Sequence, residues 1–430
     1  MKRFALLFLF LFWSSILFGT DVFYSVRPAG AGDGNDLKVA CNITITAGGV
    51  AEFSEIQTGD IGVGCYVSSD NTSGYISEMT DSTHAKIITA VGAAHANVSV
   101  EALGAIYHPY ASLSAAEAGS DDANHLTDDD IATGEYNLYW YFYGATVDGT
   151  KLTVADTWLT SANYHITVYV PRGVDEKESI NNWRHQGVWS DNYAHMSASL
   201  SGTSLIAIPA DYICIDGIQI NCENATQKGI SVTGDYSTIK NNIIKNTIYF
   251  GSGSGISISY TSNHTIYNNI IYHGNTGINI PGGFTSGNQI LNCTISDMSV
   301  SGVTAAADQY GGGIAVKNCA VFDTADDWAG TLSCDYCASD DADATTYTNG
   351  IDWDNGATDW AAAMPDYATG DFSIDATSSL YHQGTDVDLD YDIVGTPWHA
   401  TTPSIGAFEY VASGSQSVVP VIAQQMRRRH

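Results

Sequence analysis

Between residues 212 and 322 the order of apolar and polar positions nearly repeats itself five times. The copies read Ile215-Asp-Gly-Ile-Gln-Ile220, Ile239-Lys-Asn-Asn-Ile-Ile244, Ile266-Tyr-Asn-Asn-Ile-Ile271, Ile290-Leu-Asn-Cys-Thr-Ile295 and Val316-Lys-Asn-Cys-Ala-Val321, with first residues 24, 27, 24 and 26 positions apart. A second series runs in phase: Gly229-Ile-Ser-Val, Gly255-Ile-Ser-Ile, Gly277-Ile-Asn-Ile and Gly302-Val-Thr-Ala, spaced 26, 22 and 25. Short runs of β-branched residues alternating with polar ones are strands that bury one face. One such unit cannot close a core alone, but stacked units pair every strand with its equivalents above and below. The pattern predicts an all-β chain organised as a parallel solenoid of coils.

The recurring asparagines Asn241, Asn268, Asn292 and Asn318 then share one corner of every coil. Their amides can bond up and down the stack and satisfy turn backbone groups. Ile239, Ile266 and Ile290 form an aliphatic ladder beside them. This reading makes the asparagines structural, not catalytic.

The repeated Ile-x-Asn-Asn-x-Ile followed by Gly-Ile-x-Ile resembles the coils of exported right-handed parallel β-helix proteins of the pectate-lyase-like superfamily. Asp371-Phe-Ser-Ile, Asp392-Ile-Val-Gly-Thr-Pro-Trp398 and Ser404-Ile-Gly-Ala-Phe-Glu-Tyr410 resemble the closing segment of many bacterial secreted β-helix proteins of unassigned activity. The resemblance implies a fold more than a function, because the superfamily spans lyases, hydrolases, adhesins and phage spikes.

The remaining segments complete the picture. Lys2 and Arg3, the apolar run Phe4 to Phe18 and the small residues after it mark residues 1–20 as a signal peptide, shorter than a bilayer-spanning helix needs. Residues 21–110 form a β-rich N-terminal module or irregular first coils, and residues 111–410 the β-helix, with a lateral acidic segment near 323–370. Tyr110 to Gly119 is the best helix candidate, with Ser112 or Ser114 as its cap, and would cover the open end of the solenoid. Residues 411–430 read as a linker and basic tail.

Charge changes the picture of partners. The formal charge is −31, which repels nucleic-acid phosphates and suits an acidic solvated surface. Export permits disulfides: Cys41 with Cys65 is a candidate pair, and the lone CxxC at Cys334 and Cys337 reads as a local disulfide or two thiols.

Superfamily enzymes on acidic polysaccharides use carboxylates that collect calcium and a nearby Arg or Lys. The repeated region contains no Arg, only Lys228, Lys240, Lys245 and Lys317 with His264 and His273. Asp235, Lys240, Lys245 and His273 are therefore the catalytic candidates, and solvated surface residues are the plainer reading. The closely spaced aspartates, Gly-His-Gly and Arg-Ile-Lys of the family's pectin hydrolases are absent from that region. Alternation along Tyr136 to Tyr143 puts Tyr139, Tyr141 and Tyr143 on one amphipathic face, a candidate glycan platform, and Tyr272 and the outward Tyr267 add aromatics along the helix as glycan-contact candidates. Asp386, Asp388, Asp390 and Asp392 alternate with apolar residues. As a strand they would align four carboxylates that could hold Ca²⁺ or form an acidic exposed edge.

Three functional classes stay open. One is a secreted or cell-surface binding and scaffold protein engaging extracellular polysaccharide or surface glycans. The others are a polysaccharide lyase or glycoside hydrolase, and a phage-like spike. The missing basic cluster favours the first.

Overall fold

The computed structural model describes residues 19–28, 36–70, 72–248, 251–282, 286–305, 314–330, 332–341, 348–353 and 356–410. The expected signal peptide (apart from its last two residues) and the expected basic tail lie outside them. No helix among the described residues is long and apolar enough to cross a membrane.

The chain is a β-solenoid. One sheet stacks nine described strands in parallel, from Thr20–Val26 and Tyr136–Phe142 through Ile213–Asp216, Thr238–Lys240, Thr265–Tyr267 and Ile314–Lys317 to Leu332–Asp335. The other two rows include Gln219–Cys222 with Ile243–Asn246, and Lys228–Val232 with Ser254–Ile258. They merge where Ile270–Ile280 and Thr294–Ala305 run through the corner as single strands. Register matches the sequence repeat: Ile215, Ile239, Ile266, Ile290 and Val316 stack in one column, and Ile220, Ile244, Ile271, Ile295 and Val321 in another. All ten are buried, each contributing about 1.5–3 kcal/mol as an upper estimate.

Two columns of polar side chains hold the corner after the first sheet. Asn241, Asn268, Asn292 and Asn318 all have φ between 49° and 54°, a left-handed conformation that asparagine tolerates by local hydrogen bonding. Asn268 Nδ2 donates to Asn241 Oδ1 at 3.2 Å, and Asn318 Nδ2 to Asn292 Oδ1 at 3.1 Å. The next residue forms a second, deeper column. Asn242 Oδ1 accepts from the Ile218 amide, and Asn269 Oδ1 accepts from the Asn242 amide while its Nδ2 donates to Ile239 O at 2.8 Å. The repeated glycines have a packing reason: a Cβ on Gly229 would lie 2.6 Å from Gly255 O, and one on Gly277 2.5 Å from Gly302 O.

The N-terminal region departs from the expected boundaries. Val22, Tyr24 and Val26 alternate inward, so Thr20–Val26 is a strand of the solenoid paired with Tyr136–Phe142. The chain then leaves to build a closed antiparallel barrel of six strands, from Asn42–Ile45 to Val98–Tyr107. The helix Leu113–Gly119 follows, with Ser112 Oγ accepting from the Ala115 amide at 3.0 Å and Leu113 and Ala116 buried in the core of the first coils.

At the other end, residues 364–410 add no strand to the stack. They form a strap along the outer wall, where Phe372, Leu380, Ile393, Ile405 and Phe408 bury Ile243, Ile270, Ala320 and Phe322. The strap also closes the asparagine column from outside: Asn268 Nδ2 donates to Tyr391 O and Asn318 Nδ2 to Thr385 O, each at 2.7 Å. Cys334 and Cys337 are disulfide-bonded. Cys41 and Cys65 are separate thiols, contrary to the expected pair; Gln57 contacts the first and His108 the second.

Candidate functional site

Several sequence candidates are occupied by the fold. Tyr143 is fully buried and donates to Val63 O at 2.7 Å, and Tyr141 packs into the same cluster, because the barrel sits against this end of the solenoid. Phe23 stacks on Tyr139 at 5.2 Å. The expected tyrosine platform is thus an internal joint. Tyr272 packs against Phe372 of the strap. Asp235 Oδ1 accepts from the Ser262 amide at 2.7 Å and holds a turn. His273 Nδ1 pairs with Asp297 Oδ2 at 2.6 Å.

The expected acidic strand is also corrected. Residues 386–390 form no strand, and Asp388 has φ 59°, which breaks the alternation. Asp386 Oδ1 instead caps the Asp388 amide. Asp392 is buried, accepting from the amides of Val394, Thr396 and Glu409, and burial raises its carboxyl to about 6. Among the described residues no three His, Cys, Asp or Glu side chains are grouped to hold a metal ion.

Lys240 and Lys245 part company at the asparagine corner. Lys240 ends a strand of the first sheet, and its outward neighbours in register are Asp216 above and Tyr267 below. Lys245 lies on the next wall, its Nζ 3.8 Å from the centre of the Trp189 ring. Burial lowers the Lys245 ammonium, with Asp191 opposing.

The loop of residues 171–194, outside the sequence repeat, bridges the two walls. It supplies Arg184, whose guanidinium pairs with Asp216; the two side chains are 3% and 9% exposed. Lys240 Nζ lies 3.6 Å from the other Asp216 oxygen, and Asn241 Nδ2 donates to Asp216 at 2.8 Å. Burial works to raise the Asp216 carboxyl, yet Arg184 and Lys240 hold it well below the carboxylate range. Burial likewise opposes the charge on Arg184 and Lys240, and Asp216 outweighs it in both. Neither cation can give up a proton near neutral pH. His185 is neutral, lowered to about 3 by burial and then by Arg184. Its Nδ1 accepts from the Gly187 amide and its Nε2 donates to Asn241 O.

Beside this cluster opens a cleft of about 250 Å³ lined by Arg172, Arg184, His185, Asn182, Asp175 and Glu176. Two of the three arginines among the described residues face it. The buried Arg184 Nε has no hydrogen-bond partner in the protein. That nitrogen packs over Gly217, where an added Cβ would lie 2.9 Å from it. Sequence reasoning missed both arginines because it searched the repeat for cations; the one visible signal was their placement just before it.

Residues 228–340 match the family model described as "Right handed beta helix region". No curated protein matches the sequence. Among solved structures, the chain is similar to pectate lyase Pel9A, with a TM-score of 0.30 and 13% identity over 64% of this chain and 88% of that one. It is also similar to the tailspike protein gp49 from Pseudomonas phage LKA1, with a TM-score of 0.22 and 12% identity over 74% of this chain and 53% of the tailspike. The stacked coils, their parallel register and the matched segment together make this chain a right-handed parallel β-helix protein.

Proposed function

We propose that the protein acts outside the cytoplasm as a binding protein for acidic polysaccharide, seating a carboxylate of the glycan in the cleft between Arg172 and Arg184. The observation that carries this reading is the cleft itself, whose lining brings Arg172 and Arg184 together in a chain of net charge −31. The two guanidiniums offer charged donors to a carboxylate, within a lining whose charge Asp175 and Glu176 balance. Asp175 and Glu176 on the cleft wall suit a ligand with hydroxyl donors as well as charge. The charge states at this cleft favour binding over proton transfer there: Arg184 and Lys240 are held as cations by Asp216, and His185 is committed at both ring nitrogens. Titration of the full chain with oligogalacturonate tests the reading. Saturable binding that weakens with salt is expected, and no binding in low salt overturns it.

A second, enzymatic reading rests on Lys245. Its lowered ammonium, set against Trp189, is the one lysine in the region suited to abstract a proton from a uronate ring. Appearance of unsaturated sugar absorbance that vanishes in Lys245→Met would favour a lyase. Silence with binding intact favours the scaffold.

A further inference from the structure

Three successive turns at the opposite corner, entering the first sheet, each carry a tyrosine. Tyr212 lies between strands Ser204–Ile208 and Ile213–Asp216, Tyr236 between Lys228–Val232 and Thr238–Lys240, and Tyr260 between Ser254–Ile258 and Thr265–Tyr267. All three have left-handed backbone, with φ of 53°, 59° and 61°. The rings of Tyr212 and Tyr236 are parallel within 2° at 4.7 Å, and Tyr236 and Tyr260 are 45% and 71% exposed.

The fold does not require tyrosine there. The backbone bonds Tyr236 N to Ser262 O and Asn263 N to Ser286 O place Asn263 and Gly287 in the same column as Tyr212 and Tyr236. Those two residues have φ of 64° and 72°; glycine takes left-handed backbone without a Cβ to crowd, and asparagine tolerates it by local hydrogen bonding. The turns are tied by other side chains: Asp211 Oδ1 accepts from the Asp235 amide at 2.6 Å, and Asp235 Oδ1 from the Ser262 amide at 2.7 Å. Bulky residues in strained backbone that the surrounding structure does not need point to function.

We infer that the stacked pair Tyr212 and Tyr236, with Tyr260 exposed on the turn of the next coil three residues before the column position Asn263, forms an aromatic surface that stacks against neutral sugar rings of a glycan. Tyrosine offers an apolar ring face with a polar edge, suited to the C–H face of a pyranose. Asp211 and Asp235 flank the rings, which repels uronates and offers acceptors to sugar hydroxyls. This surface is separate from the arginine cleft, lying at the other end of strands Ile213–Asp216 and Thr238–Lys240.

The test is calorimetric titration of the full chain with cellohexaose, mannohexaose and xylohexaose. The variants are Tyr236→Asn/Tyr260→Asn, Tyr236→Phe/Tyr260→Phe and Arg172→Ala. The expected result is binding of at least one neutral oligosaccharide, weakened by about tenfold or more in the asparagine variant. The phenylalanine variant and Arg172→Ala retain it, and the asparagine variant unfolds no earlier than the parent. Absence of binding by the parent to all three sugars overturns the inference. So does equal affinity in the asparagine variant, or a lowered unfolding midpoint with affinity unchanged, which would make the surface structural. Oligogalacturonate binding is expected to survive the asparagine change, so this inference and the arginine cleft fail independently.

Discussion

Replacing Asp216 with asparagine keeps the side-chain volume and the acceptor for Asn241 but removes the charge that compensates Arg184. Both members of the pair are nearly buried, at 3% and 9% side-chain exposure, so solvent cannot take over the lost partner. Removing one member of such a pair costs about 3–5 kcal/mol. Lys240, 27% exposed, can turn toward water and accounts for little of that cost. With an unfolding entropy of about 2 cal/mol/K per residue spread over the folded chain, the midpoint falls by roughly 4–6 °C. The assay is thermal and urea denaturation of the parent, Asp216→Asn, Arg184→Met and the double variant. The double variant removes both charges and is expected to recover to within about 1 kcal/mol of the parent. The folded carboxyl of Asp216 is depressed, so its stabilisation is complete above the unfolded value near 3.9. It is lost only as pH falls through the lower folded value, so the gap stays constant from mildly acidic to neutral pH. A double variant as unstable as the sum of the singles would refute the pairing argument, and so would a gap that already closes in mildly acidic solution.

Three other perturbations bear on the scaffold. Asn269→Ala orphans the Asn242 amide and Ile239 O and is expected to cost about 2–4 kcal/mol in urea denaturation; a change within error would show the inner column to be dispensable. Asp327 is fully buried, and burial followed by Asp340 raises its carboxyl to about 9. The native state therefore holds a proton that the unfolded chain has released, and stability falls as pH rises from about 4 toward that value. Asp327→Asn removes the decline, so its urea midpoint relative to the parent rises between mildly acidic and alkaline pH; parallel profiles would contradict this. Phe408→Ala uncovers the wall beside Gly187, whose added Cβ would lie 2.4 Å from the ring, and should cost about 3–5 kcal/mol. Limited proteolysis should then cut within residues 364–410 faster than in the parent.

The coils were legible because isoleucine spacing and stacked asparagines are local devices that recur with the coil. Asn241 to Asn318 could be placed at one corner from spacing alone, since their backbone demand and their partners are set by the neighbouring coil. The deeper column through Asn242 and Asn269 was hidden, because cysteine replaces asparagine at Cys293 and Cys319. The barrel and the strap were illegible for a different reason. Tyr143 and Tyr272 alternate as outward residues should, and only a distant segment packed over each shows why they are covered. Asp386 to Asp392 mimic a strand in composition, but the left-handed Asp388 and the capping use of Asp392 turn the segment. Arg172 and Arg184 belong to a loop without periodicity, so nothing in their spacing announces Asp216 as a partner.

The most direct test of the central claim is calorimetric titration of oligogalacturonate into the full chain and into Arg172→Ala, in low and in high salt. Arg172 lines the cleft without being the buried member of the Asp216 pair, so the variant should stay folded. The account predicts saturable binding by the parent, weakened by salt and reduced about tenfold or more by the substitution, as loss of a charged hydrogen bond requires. Equal binding by parent and variant, or none by the parent in low salt, would contradict it.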